Sequence, residues 1–242
     1  MEKDFDLIIF DMDGTLYQRS PEIDMVFPKV SIKLAAKSTG KSEEKMQVEF
    51  MQKKDDLARL INGNPTSTLT LFHYYDVEFK EFEDKVNKLL NIESILKPDP
   101  KAIKAIEKVN KLYSLFLFTT NNGVLSNRIL KALKLDKIFP ISRRFSLYSV
   151  ENLDMPKKEK LEYIKPGLRG FEFILNRFGV MPEKTLMVGD SEVSDIIPAT
   201  KLGIKTYHVI DREKLYALPE WLGMKLAEVF PMELLRSKPP QG

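Results

Sequence analysis

Asp11 and Asp13 stand two residues apart in FDMDGTLY, directly after the apolar run LIIF at 7–10. Two carboxylates that close repel each other, which is costly unless a cation or a division of labour between acid and base compensates. A hard divalent cation suits oxygen ligands of this kind best. A second acidic cluster, GDSEVSDI, puts Asp190 immediately after the apolar run TLMVG and Asp195 five residues later at a helix start. Each residue also has a bland reading: Asp13 and Asp190 as turn formers, Asp195 as a helix cap. If the fold makes the two runs neighbouring strands, three or four acids gather around one point, and such a cluster is a metal site more often than an accident of structure.

Two further groups complement these acids. In FTTNN at 118–122, Thr119, Thr120 and Asn121 lie between an apolar run and a helical pattern. Hydroxyls and free backbone N–H groups in that position suit a phosphate oxygen, although plain helix capping would explain them if they stood alone. Lys165 in IKPGLRGF precedes a Pro-Gly helix start. A lysine there is ordinarily a solvated surface group, but an ammonium brought to the same place as the acids would neutralise them and hold a phosphoryl group.

Four short apolar runs must do the positioning: 7–10, 114–118, 185–189 and 205–210. Continuous rather than alternating apolar character marks strands buried on both faces. Helical patterns separate them at 100–112, 126–135 and 167–179, the last ending in glycine. This alternation predicts an α/β fold, a doubly wound parallel sheet with helices on both faces, whose strand ends bind ligands at their carboxyl edge. Between Tyr17 and about Ile95 the pattern is helical throughout, with breaks at STGK (38–41) and NGNP (62–65). The expected organisation is a discontinuous core, 1–17 with 96–242, and a smaller all-helical cap, 18–95. From Asp211 onward only a weak helical pattern precedes a Pro-Pro end.

Bulk properties narrow the class. The 242 residues are 43% hydrophobic and 30% charged, ordinary for a globular protein with a packed core. A formal net charge of +3 is too small to argue for nucleic-acid polymers or membranes as partners. The absence of cysteine excludes a disulfide, a thiolate nucleophile or a thiolate-ligated metal. No leader-like segment or spanning apolar run is evident, so the expected location is cytoplasmic.

The ordered set DMDGT, FTT, KP, GDSEVSD resembles that of the haloacid dehalogenase-like (HAD) hydrolase superfamily, over the core segments 1–17 and about 96–210. The resemblance implies a Rossmann-like core and a phosphatase using Mg²⁺. Asp11 would be the nucleophile. Asp13 would be the general acid and base, its main-chain carbonyl also facing the metal. Thr119, or alternatively Thr120, would bind phosphate, and Lys165 would stabilise it. Asp190 would ligate Mg²⁺, and Asp195 would be a ligand through water or a support for the ligands. Asp13 argues against a dehalogenase, because halide leaves without a proton whereas an alkoxide needs one.

The FDMDGTLY start, LKPDP at 96–100 and the spacing from FTT to Arg128 look most like the pyrimidine 5′-nucleotidase branch, which implies a nucleoside monophosphate as the small phosphate ester. Phe72, His73, Tyr74 and Tyr75 could stack on a base, but an aromatic cluster on a cap helix is more often packing. The alternatives are a sugar-phosphate mutase and a non-catalytic phosphate-binding protein.

Overall fold

The structure is a computed structural model of the chain and describes residues 4–61 and 63–224. Five strands form one parallel sheet: β1 (Leu7–Phe10), β2 (Ser114–Phe118), β3 (Arg144–Phe145), β4 (Thr185–Gly189) and β5 (Lys205–His208). Their order is β3-β2-β1-β4-β5. Every residue of β1 is buried, as are all of β4 and all but the first of β2, because crossover helices cover both faces.

The register settles what the strand ends bring together. Phe10, the last residue of β1, lies opposite Leu117 of β2 and Val188 of β4. The residues that follow the three central strands therefore emerge side by side at one edge of the sheet: Asp11, the threonines at 119–120 and Asp190. A β-α-β crossover keeps strands parallel, so consecutive motifs must all surface at the same edge.

The core helices follow local signals. Asp99 caps the helix Pro100–Leu112 by accepting from the N–H groups of Lys101 (3.0 Å) and Ala102 (3.2 Å). Its other oxygen accepts from Tyr216 Oη at 2.6 Å and Arg212 Nη2 at 2.8 Å, both on the helix Arg212–Trp221. Burial works to raise the Asp99 carboxyl, but the hydrogen bonds from Tyr216 and Arg212 outweigh it and bring it down to about 2. Arg212 also donates to the Thr15 carbonyl at 3.0 Å, tying the loop after β1 to this helix. The weak pattern beyond Asp211 thus includes a real helix as far as Trp221, and the Pro-Pro end lies outside the described residues.

A helix start and a strand depart from the sequence expectation. The helix expected at 126–135 runs Gly123–Ala132, because the Asn122 side chain accepts from Leu125 N at 2.7 Å and starts it early. β3 carries no sequence signal because only Arg144 and Phe145 pair with β2.

Six helices fill residues 21–95: Pro21–Asp24, Val26–Thr39, Glu43–Ile61, Ser67–Tyr74, Phe79–Leu89 and Ile92–Ile95. No strand interrupts them among the described residues. They bury Phe50, Leu57, Leu71, Phe72, Phe82 and Val86 among themselves. Helix Phe79–Leu89 is anchored to the Rossmann-like part. Glu83 accepts from the first amide of helix Gly123–Ala132 (3.3 Å), while Arg128 donates to the carbonyls of Asn87 (3.0 Å) and Leu90 (2.8 Å) and pairs with Glu93 (2.6 Å). An acid at a helix N-terminus and an arginine on the last carbonyls of another helix satisfy groups that would otherwise have no partner. No helix of the described residues is long and apolar enough to cross a membrane.

Candidate active site

Asp11 is buried where β1 ends. Its carboxylate accepts from Lys165 Nζ at 2.6 Å and from Thr15 Oγ1 at 3.2 Å. Lys165 reaches the site from the segment before helix Arg169–Phe178 and is itself only 2% exposed. Its ammonium sits between two acids, 2.6 Å from Asp11 and 2.6 Å from Asp195, with the Phe118 ring 5.2 Å away. Burial alone would lower the lysine, but the charges of Asp11 and Asp195 outweigh it and push it well up, so the site holds a fixed positive charge.

Asp195 is 1% exposed and accepts from the Ser191 N–H at 3.1 Å. It lies on a single π-type turn, Glu192–Ile196, capped by the Ser191 side chain. Such turns, in which the i→i+5 pattern widens the helix, frequently mark functional sites. Burial drives the Asp195 carboxyl upward and Lys165 opposes that shift. The Asp190 carboxylate accepts from Arg19 Nε at 3.0 Å through Oδ2, while its Oδ1 is buried with no hydrogen-bond partner among the described residues. Oxygens of Asp11, Asp190 and Asp195 all lie within 4.8 Å of one another.

This cluster fits a hard divalent cation. It offers carboxylate oxygens from three residues, and one of those oxygens is an acceptor that no group among the described residues satisfies, which is otherwise an expensive thing to bury.

Asp13 stands apart from that group. Its carboxylate accepts from the Tyr17 hydroxyl and from Asn121 Nδ2 at 2.9 and 2.7 Å. Burial and the neighbouring Asp11 raise the Asp13 carboxyl against the pull of Tyr17, Asn121 and Arg19. Burial beside a second carboxylate thus tunes Asp13 toward its neutral form, the form a general acid needs.

The two threonines separate. Thr120 and Asn121 line the cleft above Asp11 together with Lys165, Asp190 and Asp195. Thr119 is 2% exposed, lies outside that lining, and its hydroxyl accepts from Asn121 N at 3.1 Å. Thr120 is therefore the threonine that lines the cleft, where the sequence pointed first to Thr119. Asn121, expected to touch substrate, lines the cleft and also donates through its amide to Asp13.

Residues that sequence reasoning did not assign complete the site. Tyr17 orients Asp13 from four positions on, inside the same FDMDGTLY motif. Arg19 balances Asp190 and approaches Asp24 (3.9 Å). His208 bonds the Asp190 carbonyl at 2.8 Å. Arginine and histidine a few residues past a motif or on a distant strand give no signal until the fold closes, whereas Tyr17 could have been read from its position.

Gly14 also has a role set by space. Its φ is +89°, and a Cβ there would fall 2.2 Å from Asp190 Oδ2. Gly14→Ala is expected to cost about 1–3 kcal/mol in urea unfolding and to push Asp190 from its position. An unchanged unfolding midpoint would refute the contact.

The haloacid dehalogenase-like hydrolase family matches residues 5–203. The chain belongs to that family. Among curated relatives, a glyceraldehyde 3-phosphate phosphatase of Methanocaldococcus jannaschii is 26% identical over 84% of each chain. Among solved structures, a HAD phosphatase from Thermococcus onnurineus covers 91% of this chain and 99% of its own, at 21% identity and a TM-score of 0.53. A Bacillus subtilis protein described as a HAD hydrolase and bound to magnesium covers 91% of this chain and 100% of its own, at 18% identity and a TM-score of 0.56. These structures share the HAD fold. The family match and the phosphatase relative together place this HAD protein among phosphoric monoester hydrolases.

Proposed function

We propose that the chain is a Mg²⁺-dependent phosphatase that hydrolyses small phosphate monoesters through an aspartyl-phosphate on Asp11. The observation that carries this reading is the buried Lys165 ammonium bridging Asp11 and Asp195, beside the unpartnered Asp190 Oδ1. Asp11, Asp190 and Asp195 would hold the ion; when bound it supplies positive charge that offsets repulsion between a carboxylate and a phosphate dianion.

The chain's own groups divide the rest of the work. Asp11 attacks phosphorus in line, forming a carboxylate O–P bond as the ester P–O bond breaks. Asp13, neutral at that moment, gives its proton to the departing alkoxide. The same carboxylate then takes a proton from water, whose oxygen attacks the phosphorus and frees Asp11 with inorganic phosphate. Tyr17 and Asn121 hold Asp13 across from Asp11, and the Lys165 ammonium and Thr120 hydroxyl are placed to receive nonbridging oxygens.

A nucleoside 5′-monophosphate is the finer reading suggested by the opening motifs, but the cap aromatics do not support it. Phe72 packs on Phe79 and Phe82, Tyr75 stacks on Phe50, and Tyr74 lies under Lys53, so none of the three lines the cleft. The relative that acts on glyceraldehyde 3-phosphate favours a shorter carbon chain.

The test is release of inorganic phosphate from nucleotides, sugar phosphates and short phosphorylated acids and alcohols, with and without Mg²⁺. Asp13→Ala is expected to slow alkyl phosphates by roughly 10²–10⁴-fold and activated aryl phosphates far less, because only a poor leaving group needs the proton. Equal losses on both would remove Asp13 from the acid role, and isomerised sugar phosphate in place of free phosphate would make the protein a mutase.

A further inference from the structure

The cleft over Asp11 has a volume of about 340 Å³, near the small end for a ligand pocket. The helical segment contributes Asp24, Phe27, Lys54, Thr66, Ser67 and Thr68 to its wall. Phe27 is the single aromatic side chain in that wall among the described residues, so a base would find little to stack on.

The polar groups of this wall are mostly donors. Thr66 accepts from Leu69 N at 3.1 Å as the cap of helix Ser67–Tyr74, which leaves its own O–H to donate. The amides of Ser67 and Thr68 belong to the first turn and have no intrahelical acceptor. Lys54 is half-buried and has neither a hydrogen bond nor an ion pair among the described residues. Arg19 is already committed to Asp190 and Asp24. A wall of uncommitted donors around an uncommitted ammonium is complementary to an anionic acceptor, and because Lys165 is already the cation in contact with Asp11, this second cation, carried by the helical segment, is left for an anionic group on the rest of the ester.

We propose that Lys54 is a specificity-determining residue that receives a carboxylate of the leaving group, so that the substrates of this site are short phosphorylated hydroxy acids. The inference rests on the phosphatase reading above and adds the chemical class of the ester. The small cavity bounds the carbon chain, and the Thr66–Thr68 donors share the carboxylate with Lys54.

The experiment compares kcat/KM for 3-phosphoglycerate, glycerol 3-phosphate, uridine 5′-monophosphate and p-nitrophenyl phosphate in the native chain, Lys54→Gln and Lys54→Arg. The native chain is expected to favour phosphoglycerate over glycerol phosphate by roughly ten- to a hundredfold, the size of one charge-assisted contact. Lys54→Gln should bring that ratio close to one, and Lys54→Arg should keep most of it. A ratio that Lys54→Gln leaves unaltered, or a preference for the nucleotide, overturns the assignment. Failure to hydrolyse even the aryl phosphate, in a folded protein, overturns the phosphatase reading itself.

Discussion

Asp11→Asn is expected to abolish phosphate release, lowering kcat by roughly 10⁴–10⁶-fold, as loss of a covalent nucleophile does elsewhere. The substitution keeps the size and shape of the side chain. The Thr15 hydroxyl can still donate to the amide oxygen, and Lys165 keeps its 2.6 Å contact with Asp195. What disappears is the anionic oxygen that attacks phosphorus, because a neutral amide is a poor nucleophile at that atom. The melting temperature separates this explanation from unfolding: the variant should melt within a few degrees of the native chain. Activity retained to within tenfold would move the nucleophile elsewhere and end the aspartyl-phosphate mechanism.

Lys165→Met should be damaging twice over. Lys165 is the cation in contact with both Asp11 and Asp195, and the oxygens of Asp11, Asp190 and Asp195 lie within 4.8 Å of one another. Removing one partner of a buried ion pair leaves uncompensated charge and costs about 3–5 kcal/mol, here on acids that are 6% and 1% exposed. Loss of a preorganised charge facing the phosphoryl oxygens costs a further 10²–10³-fold in kcat, by order of magnitude. Mg²⁺ should restore part of the stability, since an ion that binds only the folded state raises its melting temperature, but not the rate. Denaturant titrations with and without Mg²⁺ measure the first effect, and phosphate release the second. A variant as stable as the native chain would mean that the acids are neutralised by something other than Lys165.

The two variants probe different links. Asp11→Asn removes the attacking carboxylate and one negative charge while Lys165 keeps Asp195 as its partner, whereas Lys165→Met removes the cation that lets the acids be buried together. Gly14→Ala tests a third link, the close approach of the loop after β1 to Asp190.

The sequence by itself determined four of the five described strands, all but β3, and the acids that follow β1 and β4. Runs such as LIIF and TLMVG are buried on both faces, so their apolar character is continuous and needs no context. Asp11, Asp13, Lys165, Asp190 and Asp195 stand at motif positions close to a strand end or helix start, where the carboxyl edge of a parallel sheet gathers them whatever the connecting helices look like. The helical character of 21–95 was equally open, because periodicity is a local property.

Tertiary structure alone decided which side chain of a motif faces the cleft. Thr119 and Thr120 are adjacent and chemically identical, and only the pairing of β2 with β3, through Thr119 N to the Phe145 carbonyl at 3.0 Å, turns one inward and the other to the site. Arg19, Arg212 and His208 reach their partners across up to 197 positions of chain, and no short-range pattern encodes a contact whose existence depends on sheet order. The same holds for Phe72 and Tyr75. Their aromatic character was plain in the sequence, but whether they stack on a ligand or on Phe79, Phe82 and Phe50 is a matter of which face of a helix finds the core first, and burial of apolar area won.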